Sequence, residues 1–332
     1  MNLGARQLAG WWGGCPRPQA DPPVGLFLPL LFFSLTLPAA PADWSSLYTP
    51  AKLQAEKPRL QEAVDYVIKN EVQPFIPPDL KVSFGLQPFE LPILSGASDP
   101  LSVYSQNGRV ELPVLTLLFV EDLARAYGWL TTNRYTTKTV DEYLAMLRYR
   151  KPEDFPDHRY PPPLTALHIP ENALSDPKVV DISVKTRRTA YAFLLMHQYA
   201  HVHLQLDGKG GEEAADAYAL DILKGNSTTP TGVLFVMQSW VFFEGGNPDA
   251  VHPVSARRLR AIAKYMDAHV DEFVQGRTNQ RSSVDVIHSI ASLLNQSAEY
   301  MGIPGHQDDL RNFALKTDVA SLKPRPLPVN TR

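Results

Sequence analysis

The sequence predicts a mostly helical α+β fold. Three observations lead there. Apolar residues recur at helical spacing over Ala190–Leu206, Glu212–Leu223, Thr231–Phe243, Ser255–Val274 and Val284–Met301. Strand-like patterning is confined to two short stretches in the first two thirds of the chain. The composition is globular, with 44% hydrophobic and 20% charged residues, which excludes a mainly disordered chain.

The elements follow in chain order. Gly25 to Leu37 (GLFLPLLFFSLTL) is an apolar run of about 13 residues, short of the ~20 that span a bilayer, and Pro29 interrupts it. Arg6 and Arg17 precede it, offset by Asp21, and Ala40 and Ala42 supply a small-x-small cleavage pattern. Residues 1–42 therefore read as an export signal, and the mature chain as periplasmic or secreted. A retained N-terminal membrane anchor is the alternative. Cleavage after Ala42 would remove Cys15, the single cysteine. With one cysteine, a disulfide scaffold, a zinc ribbon and a thiolate-held cluster are excluded. A net charge of −3 argues against a general nucleic-acid binder.

Residues 43–163 read as a helical and strand region supporting the second half. Pro58 to Val72 places Leu60, Ala63, Val64, Val67 and Ile68 on one helical face. Asp79 to Ile93 alternates Leu80, Val82, Phe84 and Leu86, which predicts a half-buried strand. Leu112–Leu130 is a core helix and Val140–Tyr149 a shorter one. Lys151 to Leu164 (KPEDFPDHRYPPPL) is too rich in proline for regular structure and reads as a connection. Much of the proline excess, 30 residues against a typical ~5%, falls there and in the signal. Residues 164–320 carry the chemistry, and Val179–Val184 is expected to be a short strand. Residues 321–332 read as a flexible, Pro-rich tail.

The informative stretch is Tyr191 to Leu223. His197 and His201 are four residues apart, so on a helix both imidazoles share one face a turn apart, a spacing suited to one tetrahedral metal. Asp207-Gly208-Lys209-Gly210-Gly211 then allows a tight reversal. Glu212 opens the next helix and would face back to the same centre, with Glu213 as its substitute. Two imidazoles, one carboxylate and an open position form the layout of a catalytic zinc site. Asp216 would accept a hydrogen bond from a ligand histidine. His203 points to the other side of the helix and reads as partly exposed. His158 would reach the site only if the Pro-rich stretch closed over it as a lid. His168, His269, His288 and His306 have no ligand-like partner in sequence. No GxSxG motif supports a serine nucleophile.

HxxxH (His197, His201), then ExxAD (Glu212–Asp216), then HPxxxxRL (His252–Leu259), in that order, resembles the gluzincin metallopeptidases related to the CAAX prenyl protease and its soluble periplasmic relatives. The resemblance spans about Ala190 to Ile262. It implies a zincin-like domain with zinc on His197, His201 and Glu212, and Asp216 behind them. It implies that His252 and Arg258 stabilise an oxyanion near the metal. In such proteins an edge strand binds extended substrate, and Val179–Val184 is the candidate here.

Two departures bear on activity. The general-base position is Gln198, and an amide takes no proton near neutral pH, although it can orient a water. Glu212 also follows His201 sooner than in the CAAX-type enzymes. The expected function is hydrolysis of a polypeptide substrate by zinc-activated water, weak or absent because of Gln198. The alternative is a non-catalytic pseudo-peptidase that binds a polypeptide or envelope component.

Overall fold

The computed structural model describes residues 44–327 apart from 87–88, 94–99, 207–210, 227–228, 248–249, 251 and 276–279. The signal reading, with Gly25–Leu37, Ala40, Ala42 and Cys15, lies outside the described residues.

Helix α1, Pro50–Val67, starts earlier than the apolar periodicity suggests. Thr49 caps it by accepting from the Lys52 amide at 3.2 Å, and Pro50 occupies the first turn, where no amide donor is needed. A π turn, Ile68–Val72, carries it on to the expected end. The strand expected over Asp79–Ile93 is instead helix α2, Pro78–Leu86, followed by β1, Phe89–Glu90. The reason is local: Pro77-Pro78-Asp79 is a helix-start signature, with proline first and an acid in the opening turn. Alternation over so short a run does not decide between the two structures. Phe84 is buried whereas Val82 is 70% exposed, so the four alternating residues do not share one face.

Strands β2, Tyr104–Gln106, and β3, Arg109–Glu111, form a hairpin closed by Asn107 and Gly108, both at positive φ. The sheet order is β1-β3-β2, with β1 parallel and β2 antiparallel to β3. Helix α3 is Val114–Thr132 and α4 is Lys138–Tyr149. The Pro-rich stretch holds a 3-10 turn, Pro152–Asp154, and one helical turn, Pro163–Ala166. It is pinned where Tyr160 stacks on Trp44 at 4.5 Å.

The central element is α5, Pro177–His203, 27 residues long. It absorbs the strand expected at Val179–Val184. Asp176 caps it by accepting from the Lys178 amide at 2.8 Å, and Pro177 follows. These start signals and the packing of the long helix override the β-branched composition of VVDISV. No edge strand for substrate therefore exists at that position. Helix α5 packs on α3, on α6 (Glu212–Leu223) and on α7 (Thr231–Glu244), and also touches β2 and β3. Every residue of α7 from Gly232 to Glu244 is buried, as expected for a helix apolar all round.

The helix expected over Ser255–Val274 divides into α8, Ala256–Ala268, and α9, Val270–Val274, with Ser255 as the cap of the first. Helix α10, Gln280–Met301, begins before the expected start at Val284. Helix α11, His306–Lys316, was not anticipated, although its acidic first turn and terminal Lys316 are legible. The tail is tied down as far as Leu327. Leu322 is buried, Tyr135 pairs with Pro326, and the Leu327 amide donates to the Arg134 carbonyl at 2.9 Å. Among the described residues, no helix is long and apolar enough to cross a membrane.

Candidate metal centre

Helix α5 ends in the sequence that carries His197 and His201, and both imidazoles turn their Nε2 atoms to one point, 3.3 Å apart. Helix α6 returns alongside, and its first residue, Glu212, faces them. Glu212 Oε1 lies 3.2 Å from His201 Nε2, and Oε2 lies 3.4 Å from His197 Nε2. Helix α6 thus sets the Glu212 carboxylate beside both imidazoles. Glu213 instead faces outward, with Arg257 Nε at 2.6 Å.

The fourth member is His252, in the loop between α7 and α8. Its Nδ1 lies 3.2 Å from both His197 Nε2 and Glu212 Oε2. The donor atoms of the four residues all fall within 4.8 Å of one another. A tetrahedral ion with bonds of about 2.0–2.1 Å holds its ligand atoms about 3.3–3.4 Å apart. With Oε1 as the Glu212 donor, four of the six pairs meet that spacing: His197–His201 at 3.3 Å, His197–His252 at 3.2 Å, His201–Glu212 at 3.2 Å and His252–Glu212 at 3.4 Å. This buried His/His/Glu/His group could hold a metal ion.

The surroundings leave lone pairs pointing inward. The His252 Nε2 atom is 2.9 Å from the Val103 carbonyl oxygen. A carbonyl only accepts, so a proton on Nε2 satisfies it and leaves Nδ1 facing the centre as a lone pair. His197 Nδ1 lies 2.9 Å from Asp216 Oδ1, set off the N–H axis, which likewise leaves Nε2 as the inner atom. With Glu212 ionised, the pocket gathers imidazole lone pairs and a carboxylate, a donor set that suits a metal cation. Burial opposes the Glu212 charge, but contacts with His197, His201 and His252 outweigh it and hold its carboxyl below the usual range. Burial also disfavours the charged form of His252 and lowers its pKa. For His197 burial acts in the same sense, yet Asp216 and Glu212 prevail and raise it.

Arg258 is fully buried. It donates to both oxygens of Asp216, and its Nη1 lies 2.8 Å from Glu212 Oε2. Its Nη1 also reaches the carbonyls of His252 and Pro253, at 3.4 and 3.3 Å. The guanidinium is therefore engaged with the acids and the loop. Gln198 is also buried, with its amide 2.7 Å from His252 Nε2, so it faces the back of a donor histidine. Trp240 of α7, which the sequence reading passed over, stacks on the His252 ring at 5.4 Å and lies under Arg258 at 5.2 Å. Its position within an apolar helix gives no sign of that contact.

The other histidines stand apart. His203 stacks on Tyr199 on the far side of α5, as its spacing suggested. His158 is exposed, and His269 and His288 pair with Glu272 and Asp267. A cavity between Tyr48, Phe155, Tyr160 and Val319 is lined by none of the four donors.

Compared with protein-family models, curated proteins and solved structures, the chain matches none.

Proposed function

We propose that this protein is a non-hydrolytic, metal-binding relative of the metallopeptidases. The observation that carries this reading is the position of His252, whose Nδ1 stands 3.2 Å from His197 Nε2 and Glu212 Oε2. It occupies the place that catalytic sites keep open, and closed four-ligand sites are characteristic of structural zinc. Zinc is the metal we infer, from three imidazoles and one carboxylate. When bound, it supplies a fixed double positive charge that ties α5, α6 and the loop before α8 together. Asp216 orients His197, Arg258 holds Asp216 and Glu212, and the Val103 carbonyl fixes the tautomer of His252. The gluzincin resemblance supports a polypeptide or envelope component as the ligand, and the apolar run Gly25–Leu37 with Ala40 and Ala42 supports an exported location.

The second reading is a weak zinc metallopeptidase. In its favour, His252 sits in a loop whereas His197, His201 and Glu212 lie on helices, so a shift of that loop would free a coordination position.

Elemental analysis of the purified protein, together with a peptide-library assay, separates these readings. We expect about one equivalent of zinc in wild type, loss of it in His197→Ala, and no cleavage. Metal below about a tenth of an equivalent would overturn the site. Cleavage by wild type that a chelator abolishes and zinc restores would establish the peptidase instead.

A further inference from the structure

We propose that Gln198 is a positioning residue for a metal ligand: with the Val103 carbonyl it holds the far nitrogen of His252 and so directs Nδ1 to the centre. The inference rests on the reading that the four-donor group binds a metal.

The geometry has three parts. Gln198 and His201 sit on the same helix, yet their side chains meet opposite ends of the centre. His201 presents Nε2 to Glu212, while Gln198 reaches past to the outer side of His252. The His252 ring is fixed in its plane by Trp240, stacked 21° from parallel. What is left to choose is which ring nitrogen faces inward, and the groups at Nε2 decide that. Val103 offers only an acceptor at 2.9 Å. The Gln198 Nε2 atom stands 2.7 Å from the same nitrogen, a donor facing a protonated Nε2; a half-turn of the amide about its terminal bond, which exchanges two nearly indistinguishable atoms, puts the oxygen there as a second acceptor. One shared N–H then satisfies both, and Nδ1 is left as a lone pair.

This gives Gln198, at the general-base position, a physical role. At this position a carboxylate in a peptidase would face the water side of the metal. Here the side chain is engaged behind a ligand, so an acceptor oxygen is what the position needs, and no proton transfer is asked of it. Outer partners of ligand histidines typically govern 10–100-fold in metal affinity. The same contact links the centre to the sheet, because Val103 immediately precedes β2.

The test uses the full chain loaded with cobalt(II), whose visible spectrum reports coordination number, with affinity measured by chelator competition. Gln198→Leu keeps a similar volume but offers no acceptor. It should bind cobalt about 10–100-fold more weakly and lose intensity in the four-coordinate bands as water enters. Gln198→Glu restores an acceptor oxygen and should keep the wild-type spectrum and nearly the wild-type affinity. Neither variant should cleave peptides. Wild-type affinity and spectrum in Gln198→Leu would overturn the proposal, as would chelator-sensitive peptide cleavage in Gln198→Glu. If Gln198→Leu does not fold, loss of the four-coordinate spectrum in Gln198→Glu overturns it. Failure of wild type itself to bind cobalt would overturn the metal reading as a whole, a result distinct from the others.

Discussion

Arg258 grips Asp216 with two parallel hydrogen bonds, Nε to Oδ2 at 2.6 Å and Nη2 to Oδ1 at 2.8 Å, in full burial. The planar fork matches the carboxylate and fixes its orientation. Asp216 in turn sits at His197 Nδ1, so a residue of α8 sets the plane in which a donor imidazole of α5 is held. Burial costs Asp216 its charge less than Arg258 returns, and its carboxyl stays below the usual range.

Removing Arg258 should therefore damage both the fold and the centre. Arg258→Ala leaves Asp216 and Glu212 buried with their cation gone, a loss of about 3–5 kcal/mol. Arg258→Lys keeps the charge but not the fork and should recover only part of it. Urea unfolding of the metal-free chain measures the first effect. Zinc affinity measures the second, and it should fall in both variants.

The crossing of α5 and α7 depends on one missing side chain. At Gly232 a Cβ would run into the Ala190 amide, the Thr189 hydroxyl and the Thr186 carbonyl, and two of these are backbone atoms that cannot step aside. The Gly232 amide also donates to Thr189 Oγ1 at 2.8 Å. Gly232→Ala should destabilise by about 1–3 kcal/mol through overpacking and, by moving Trp240 relative to His252, weaken zinc binding. Thermal unfolding with and without zinc should show a smaller zinc-dependent rise in Tm than wild type gives.

A second buried charge cluster lies away from the centre. Glu121 of α3 takes hydrogen bonds from Arg59 at 2.8 Å and Arg187 at 2.9 Å, and a further one from Arg125. Burial raises its pKa, but Arg125, Arg59 and Arg187 outweigh that and lower it overall. The folded pKa lies below the unfolded value of about 4.3. The stabilisation is thus complete above that value and is lost as pH falls through the folded pKa. Glu121→Gln should cost about 2–3 kcal/mol at pH 7, less than a fully buried pair because the guanidiniums are partly exposed. The gap from wild type should narrow below about pH 4. Calorimetric Tm against pH, for both chains without metal, checks the sign. A constant gap down to pH 2 would refute it.

Particular elements show what was legible in the chain. Helical spacing alone put His197 and His201 on one face, because the α-helix fixes that relation within a turn. The glycine-rich reversal and the early Glu212 were likewise local. The opposite held for Val179–Val184 and Asp79–Ile93, where branched or alternating apolar residues suggested strands. Proline-led helix starts, packed against neighbours, decided those segments. The hairpin at Asn107-Gly108 carried its turn signal in plain view.

The sequence by itself determined a thiol-poor, mostly helical chain with a histidine pair and a carboxylate poised for one metal. Tertiary structure alone decided what surrounds them. His252 lies 55 residues from His197, its tautomer is set by a carbonyl 149 residues away, and Gln198 faces that ring. Those relations depend on where a loop and a sheet are carried by packing. No periodicity in the chain encodes them, so the sequence showed three of the grouped donors on neighbouring helices and only the fold added His252 as the fourth.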